Sequence, residues 1–93
     1  MSDSQVLERT VRIRNRQGLH ARPAAELVKL ASRFESDIQL SKDGLTVNGK
    51  SIMGVLMLAA EKGTDLALRV EGRDAHAAVE ALQALVENGF GEV

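Results

Sequence analysis

Apolar residues in this chain change period repeatedly, and that alternation constrains the fold more than any other feature. Val11 and Ile13 stand between Thr10, Arg12 and Arg14, the every-second-residue pattern of a half-buried strand. After a polar stretch, Asn15 to Gly18, the spacing lengthens to three and four. Ala24, Leu27, Val28, Ala31 and Phe34 then share one stripe, which predicts an amphipathic helix over roughly Ala21 to Phe34. Period two returns at Ile38 and Leu40 and again at Leu45 and Val47. Asp43-Gly44 separates those runs, a dipeptide suited to a tight hairpin. Ser51 precedes a nearly all-apolar segment, Ile52 to Ala60, which is too long and helix-prone for a plain strand and reads as a short helix. Leu66, Leu68 and Val70 alternate again as a fourth strand. Asp74 stands as an N-cap for a last helix with Ala75, Ala78, Val79, Leu82, Leu85 and Val86 on one face, and Gly89 is placed to end it.

The element order is therefore βαββαβα. Four alternating strands make one sheet with a single apolar side, and the two long one-sided helices are there to cover it. The expected architecture is an α+β two-layer sandwich, open to solvent on the second sheet face. A chain of 93 residues suffices for one small domain of this kind.

Composition removes several function classes. The chain has no Trp or Tyr and only two Phe, so it lacks the platforms on which single-stranded nucleic acids stack. Without cysteine there is no disulfide framework, thiolate nucleophile or Cys-based metal site, in keeping with a reducing, cytoplasmic setting. No apolar stretch is long enough for membrane insertion, and Met1 to Gln5 is polar rather than signal-like. Charge is unevenly spread: seven bases face three acids up to Arg33, and five face ten thereafter. A basic N-terminal third on an otherwise acidic chain favours an anionic group or partner there. His76 is placed on the polar stripe of the last helix with Glu80, Gln83 and Glu87, a solvated position. Two histidines on different elements make no metal site, no nucleotide loop is present, and no cofactor is expected. Nothing in the sequence requires a dimer, so a monomer is expected.

The chemistry concentrates in Gly18-Leu19-His20-Ala21-Arg22-Pro23-Ala24, where the first strand gives way to the first long helix. A histidine at the first helical turn lies among unbonded N–H groups at the positive end of a helix dipole, a setting that suits an anion. A phosphoryl group taken up by His20 would place about two negative charges there, within reach of charge-assisted hydrogen bonds from Arg22. Pro23 costs nothing in a first turn but biases Arg22 away from helical geometry, which leaves Arg22 expected as a mobile side chain able to swing. Phosphoryl transfer is mainly positioning and charge neutralisation, so one nucleophile and one arginine suffice for a carrier.

This heptapeptide resembles the phosphohistidine signature of the HPr family, the histidine-containing phosphocarriers of the phosphoenolpyruvate-dependent phosphotransferase system. The resemblance runs from about Val6 to Phe90, with no departure inside the signature. It implies a single domain over residues 1–93 with its core at about 6–90, and a four-stranded antiparallel sheet in the order 1-4-2-3. It further implies a carrier rather than an enzyme. His20 would be the phosphoacceptor through Nδ1, Arg22 the assisting arginine, and Lys29 a basic docking position. The partners so implied are enzyme I, which supplies the group, and an enzyme IIA domain, which receives it, in sugar transport or in the nitrogen-linked regulatory branch.

Asn48 to Val55 is the second informative stretch. Ser51 is an N-cap for the short helix, and Ile52, Met53 and Leu56 are too many apolar groups for so short a helix to bury, so an exposed, adaptable docking patch is expected. This stretch also resembles HPr. There the matching serine is a regulatory phosphorylation site in many relatives and the apolar residues form the patch for enzyme I and enzyme IIA. That resemblance would add an HPr kinase/phosphorylase and a transcriptional regulator as partners. A phosphate on a helix N-terminus need not unfold anything, but it places negative charge inside the patch. The competing readings are a purely regulatory interaction module and an unrelated ligand- or RNA-binding α+β domain. The presence of His20 tells against the first, and the lack of strand aromatics against the second.

Overall fold

A computed structural model describes residues 5–92, so the polar reading of Met1 to Ser4 falls outside the described residues. The strands are β1 (Gln5–Arg12), β2 (Asp37–Lys42), β3 (Leu45–Asn48) and β4 (Asp65–Gly72). The helices are α1 (Ala21–Ala31), α2 (Ile52–Met57) and α3 (Ala75–Glu87), and a 3-10 turn covers Gly89–Gly91. The sheet order is β1-β4-β2-β3 with every neighbouring pair antiparallel, which is the expected topology.

Register puts the apolar sets in line across the sheet. Val70 is partnered by Leu7 on one side and Ile38 on the other, Leu68 pairs with Leu40, and Leu40 also faces Val47. Ile38, Leu40, Leu66, Leu68 and Val70 are fully buried beneath Leu27 and Ala31 of α1 and Val79, Leu82 and Val86 of α3. Their strand neighbours Gln39, Ala67 and Thr46 are exposed on the open face. Because successive side chains point to opposite faces, a shift of one residue would exchange these two sets. Arg9 occupies a helix-facing position on the edge strand β1. It avoids burial by reaching out to Gln83 Oε1 at 2.9 Å and Glu80 Oε2 at 3.3 Å on α3. The Asp43-Gly44 hairpin has both central residues at positive φ, 50° and 83°, as a two-residue β-hairpin requires.

Two boundaries and one cap differ from the sequence reading. The first helix ends at Ala31 rather than Phe34, because Arg33 and Phe34 donate to carbonyls three residues back and tighten the chain into a turn. Phe34 still packs against the core. The second helix ends at Met57 rather than Ala60. Leu58 and Ala59 likewise make three-residue bonds, Ala59 turns to φ 47°, and Lys42 Nζ reaches the Leu58 and Ala59 carbonyls at 3.1 and 3.3 Å. Asp74 precedes α3 as expected but makes no side-chain cap bond. Its carboxylate instead accepts from the N–H of Glu35 and from the N–H and hydroxyl of Ser36, tying the start of β2 to the end of β4. Among the described residues no helix is long and apolar enough to cross a membrane.

Candidate functional site

The loop from Ile13 to His20 is built against the segment that precedes β4. Ile13 N–H donates to Thr64 O at 2.9 Å, Gly63 N–H donates to Ile13 O at 2.8 Å, and Leu19 N–H donates to Ala60 O at 2.8 Å. Gly18 permits the closest approach. It lies at φ +68°, and a Cβ there would fall 2.3 Å from the Ala60 oxygen. Leu19 is buried, which anchors the loop in the core, and His20 follows as the N-cap of α1. The His20 side chain makes no bond to the helix N–H groups and is 36% exposed. An imidazole at a helix N-terminus that is not used for capping is available for chemistry.

A carboxylate completes the site. Phe90 lies at φ 56° with its ring buried, so the Gly89–Gly91 turn is pinned to the core and Glu92 is folded back over His20. The His20 Nε2 atom lies 3.3 Å from both Glu92 oxygens. Arg22 donates to Glu92 Oε2 through Nε at 3.0 Å and Nη2 at 2.8 Å, and through Nη1 to Glu26 Oε1 at 3.0 Å. Asn15, only 1% exposed, donates through Nδ2 to Gly18 O at 2.8 Å and to Glu92 Oε1 at 3.0 Å. Burial pushes the Glu92 carboxyl upward, but the hydrogen bonds from Arg22, Asn15 and His20 together outweigh it. They hold the group below the usual carboxylate range, ionised at neutral pH.

Arg22 differs from its expectation as a mobile side chain: it lies within α1 and its guanidinium is clamped by Glu92 and Glu26. Arg22 is helical despite the bias imposed by the following proline, whose ring is buried in the first turn. Lys29 is exposed in the last turn of α1, where it lines a shallow groove with Glu26, Leu30, Arg33 and Leu85. Ser51 is the N-cap of α2, its oxygen accepting from Gly54 N–H at 3.2 Å. Ile52, Met53 and Leu56 are exposed, as expected, and so is Met57. They present a contiguous apolar surface on a helix that packs against α1. His76 is exposed on α3. The structure thus brings His20 and Arg22 together through Glu92, while Lys29 stands in the last turn of α1 and Ser51 and the apolar residues on α2, none of them bonded to that pair.

Sequence reading missed Glu92, Asn15 and Met57. Glu92 lies 72 positions from His20, and only the buried Phe90 between two glycines hints that the chain returns to the core there. The family model described as "PTS HPr component phosphorylation site" matches residues 7–88. The chain belongs to the HPr family. A phosphocarrier protein HPr of Treponema pallidum (strain Nichols) is 54% identical over 84 residues, covering 90% of this chain and 96% of the relative. The crystal structure of an HPr from Thermoanaerobacter tengcongensis superposes with a TM-score of 0.90 at 47% identity, covering 94% of this chain and 98% of that one. Crh, a catabolite-repression protein of Bacillus subtilis whose crystal structure is a dimer with a swapped domain, aligns with a TM-score of 0.73 at 48% identity, over 85% of this chain and 91% of that one. As a member of the HPr family, the chain is of the phosphocarrier type, a component of the phosphotransferase system.

Proposed function

We propose that this chain accepts a phosphoryl group on Nδ1 of His20 from enzyme I, itself charged by phosphoenolpyruvate, and passes it to an enzyme IIA domain. The route serves sugar transport or nitrogen-linked regulation in the cytoplasm. The observation that supports this most is the placement of His20: an N-cap imidazole that caps nothing, half-exposed, with a guanidinium on the same first turn. Nδ1 supplies the electron pair, and the open N–H groups of the first turn and the helix dipole meet the arriving dianion. Arg22 adds charge-assisted bonds to it. Its pairs with Glu26 and Glu92 are solvent-screened and give way readily to a doubly charged group.

Lys29 and the Ile52, Met53, Leu56 surface are the docking positions for both partners in this reading. A methionine-bearing apolar patch beside the transfer site suits successive partners of different shape. A second reading, phosphorylation of Ser51 by an HPr kinase/phosphorylase with a transcriptional regulator as reader, draws support from one observation. Ser51 caps α2 at the border of that patch, so a phosphate there meets favourable N–H groups while repelling acidic partners. The working unit in this reading is a monomer, which sedimentation at micromolar concentration checks against the swapped-dimer alternative.

The test is incubation of the purified protein with enzyme I and phosphoenolpyruvate, followed by intact mass, beside a His20→Ala variant. One acid-labile phosphoryl group, absent from the variant, is the expected result. No uptake from several enzyme I preparations, including one from the same organism, overturns the carrier role and leaves the Ser51 reading.

A further inference from the structure

The carboxylate at His20 has a chemical consequence for the handover step, and it builds on the carrier reading above. Glu92 is ionised and can only accept, so the His20 nitrogen it faces, Nε2, carries a hydrogen. The other nitrogen, Nδ1, then holds the in-plane electron pair. Asn15 makes this arrangement rigid. Its buried amide is locked by Gly18 O, and its Oδ1 meets no protein donor among the described residues, so Nδ2 is committed to Glu92.

We propose that Glu92 is a positioning residue that keeps the Nε2 proton on His20 throughout the phosphoryl cycle, and that Asn15 holds Glu92 in place to do so. In the loading step the Nδ1 electron pair forms the N–P bond while the donor's bond to phosphorus breaks and its electrons leave with the donor. No proton moves. The ring becomes a phosphorylated imidazolium, whose positive charge extends to Nε2 beside the Glu92 carboxylate. In the handover step the acceptor's electron pair forms the new bond to phosphorus, and the N–P electrons return to Nδ1. With the Nε2 proton present, the leaving group is neutral imidazole; without it, the leaving group is an imidazolate anion, a far poorer one. An anion facing Nε2 therefore keeps the phosphorylated ring in its transferable state to higher pH.

The other charged groups on the elements that build the site are Arg22 and Glu26 of α1, Arg16 of the site loop, which lines a surface hollow with Glu92, and Glu61 and Lys62 of the segment packed against that loop. These groups keep their identity in the test variants, and because Arg22 loses its two bonds to Glu92 there, the measured difference reports the Glu92 carboxylate together with the Arg22 pairing it holds.

The experiment phosphorylates wild type, Glu92→Gln and Glu92→Ala with phosphoramidate, a small-molecule donor that bypasses enzyme I. Nitrogen-15 and phosphorus-31 NMR then follow the pH at which the phosphorylated ring loses its Nε2 proton. Removing an opposite charge at this distance is expected to lower that midpoint by about one pH unit in both variants. Transfer to an enzyme IIA domain should show its alkaline limb displaced by the same amount, about tenfold slower than wild type above the new midpoint. An unchanged midpoint in both variants, or phosphorylation at Nε2 in place of Nδ1, overturns the proposal while leaving the carrier role standing. Failure of enzyme I to load the wild type would sink the carrier role alone, because the NMR measurement does not depend on it.

Discussion

Replacing Gly18 with alanine tests how tightly the loop before His20 is built. Two costs arise, and the structure separates them. The first is conformational: φ +68° in a residue with a Cβ costs about 1 kcal/mol. The second is steric. The new Cβ would fall 2.3 Å from the Ala60 oxygen and 2.8 Å from the Glu61 Cα, both backbone atoms that have no rotamer to escape through. The Ala60 carbonyl must retreat, and the bond it accepts from Leu19 N–H at 2.8 Å goes with it. An unpaired buried donor costs about 1–3 kcal/mol, so the sum is about 2–4 kcal/mol out of the roughly 5–14 kcal/mol expected for a domain of this size. Gly44→Ala is the control, since Gly44 also has positive φ, +83°, but a Cβ there meets nothing within 4 Å. It should cost only about 1 kcal/mol. With a urea m-value of about 1.5 kcal/mol/M, the midpoint should drop by about 2 M in Gly18→Ala and by about 0.7 M in Gly44→Ala. If the two variants agree within about 0.5 kcal/mol, the Ala60 contact is not what selects glycine at position 18, and the account of the loop is wrong.

Three further outcomes follow from particular contacts. Ser51→Ala removes the bond to Gly54 N–H and should destabilise by about 1 kcal/mol in thermal unfolding, whereas Ser51→Asp, an equally good cap, should stay close to wild type; equal losses would show that the cap contributes nothing. Met53 is 69% exposed, so Met53→Ser should change stability by less than about 0.5 kcal/mol while weakening binding to enzyme I roughly tenfold by calorimetry; unchanged affinity would remove it from the docking surface. The Asp74 carboxyl is held below its usual range by the Ser36 hydroxyl and the Glu35 and Ser36 N–H groups. Its stabilisation is complete above the unfolded-state value, about 3.9, and disappears as pH falls through the lower folded value, because the unfolded chain binds the proton first. Asp74→Asn should therefore flatten the acid limb of a stability–pH curve, and an acid limb identical to wild type would contradict the assignment.

By itself the sequence determined the element order, the α+β class, the hairpin at Asp43-Gly44 and the placement of His20 and Arg22 on one helical turn, all of which rest on interactions within a few residues. Side-chain periodicity names the face each strand and helix must bury, and with only one apolar sheet face to cover, few arrangements remain. Helix ends were less legible: beyond Ala31 and Met57 the chain tightens into three-residue turns, and carbonyls freed there are met by distant lysines, Lys50 Nζ at Phe34 O (2.6 Å) and Lys42 Nζ at the Leu58 and Ala59 carbonyls. Asp74 looked like a cap by local rules, yet its carboxylate goes to Ser36, 38 positions away. The same holds at the candidate site. His20 and Arg22 are two residues apart and announce themselves, whereas Asn15 and Glu92 join them only after Phe90 is buried and the chain end folds back. Long-range polar partners leave no periodic trace, because one carboxylate needs only a turn of chain in the right place, and tertiary packing alone decides where that turn lies.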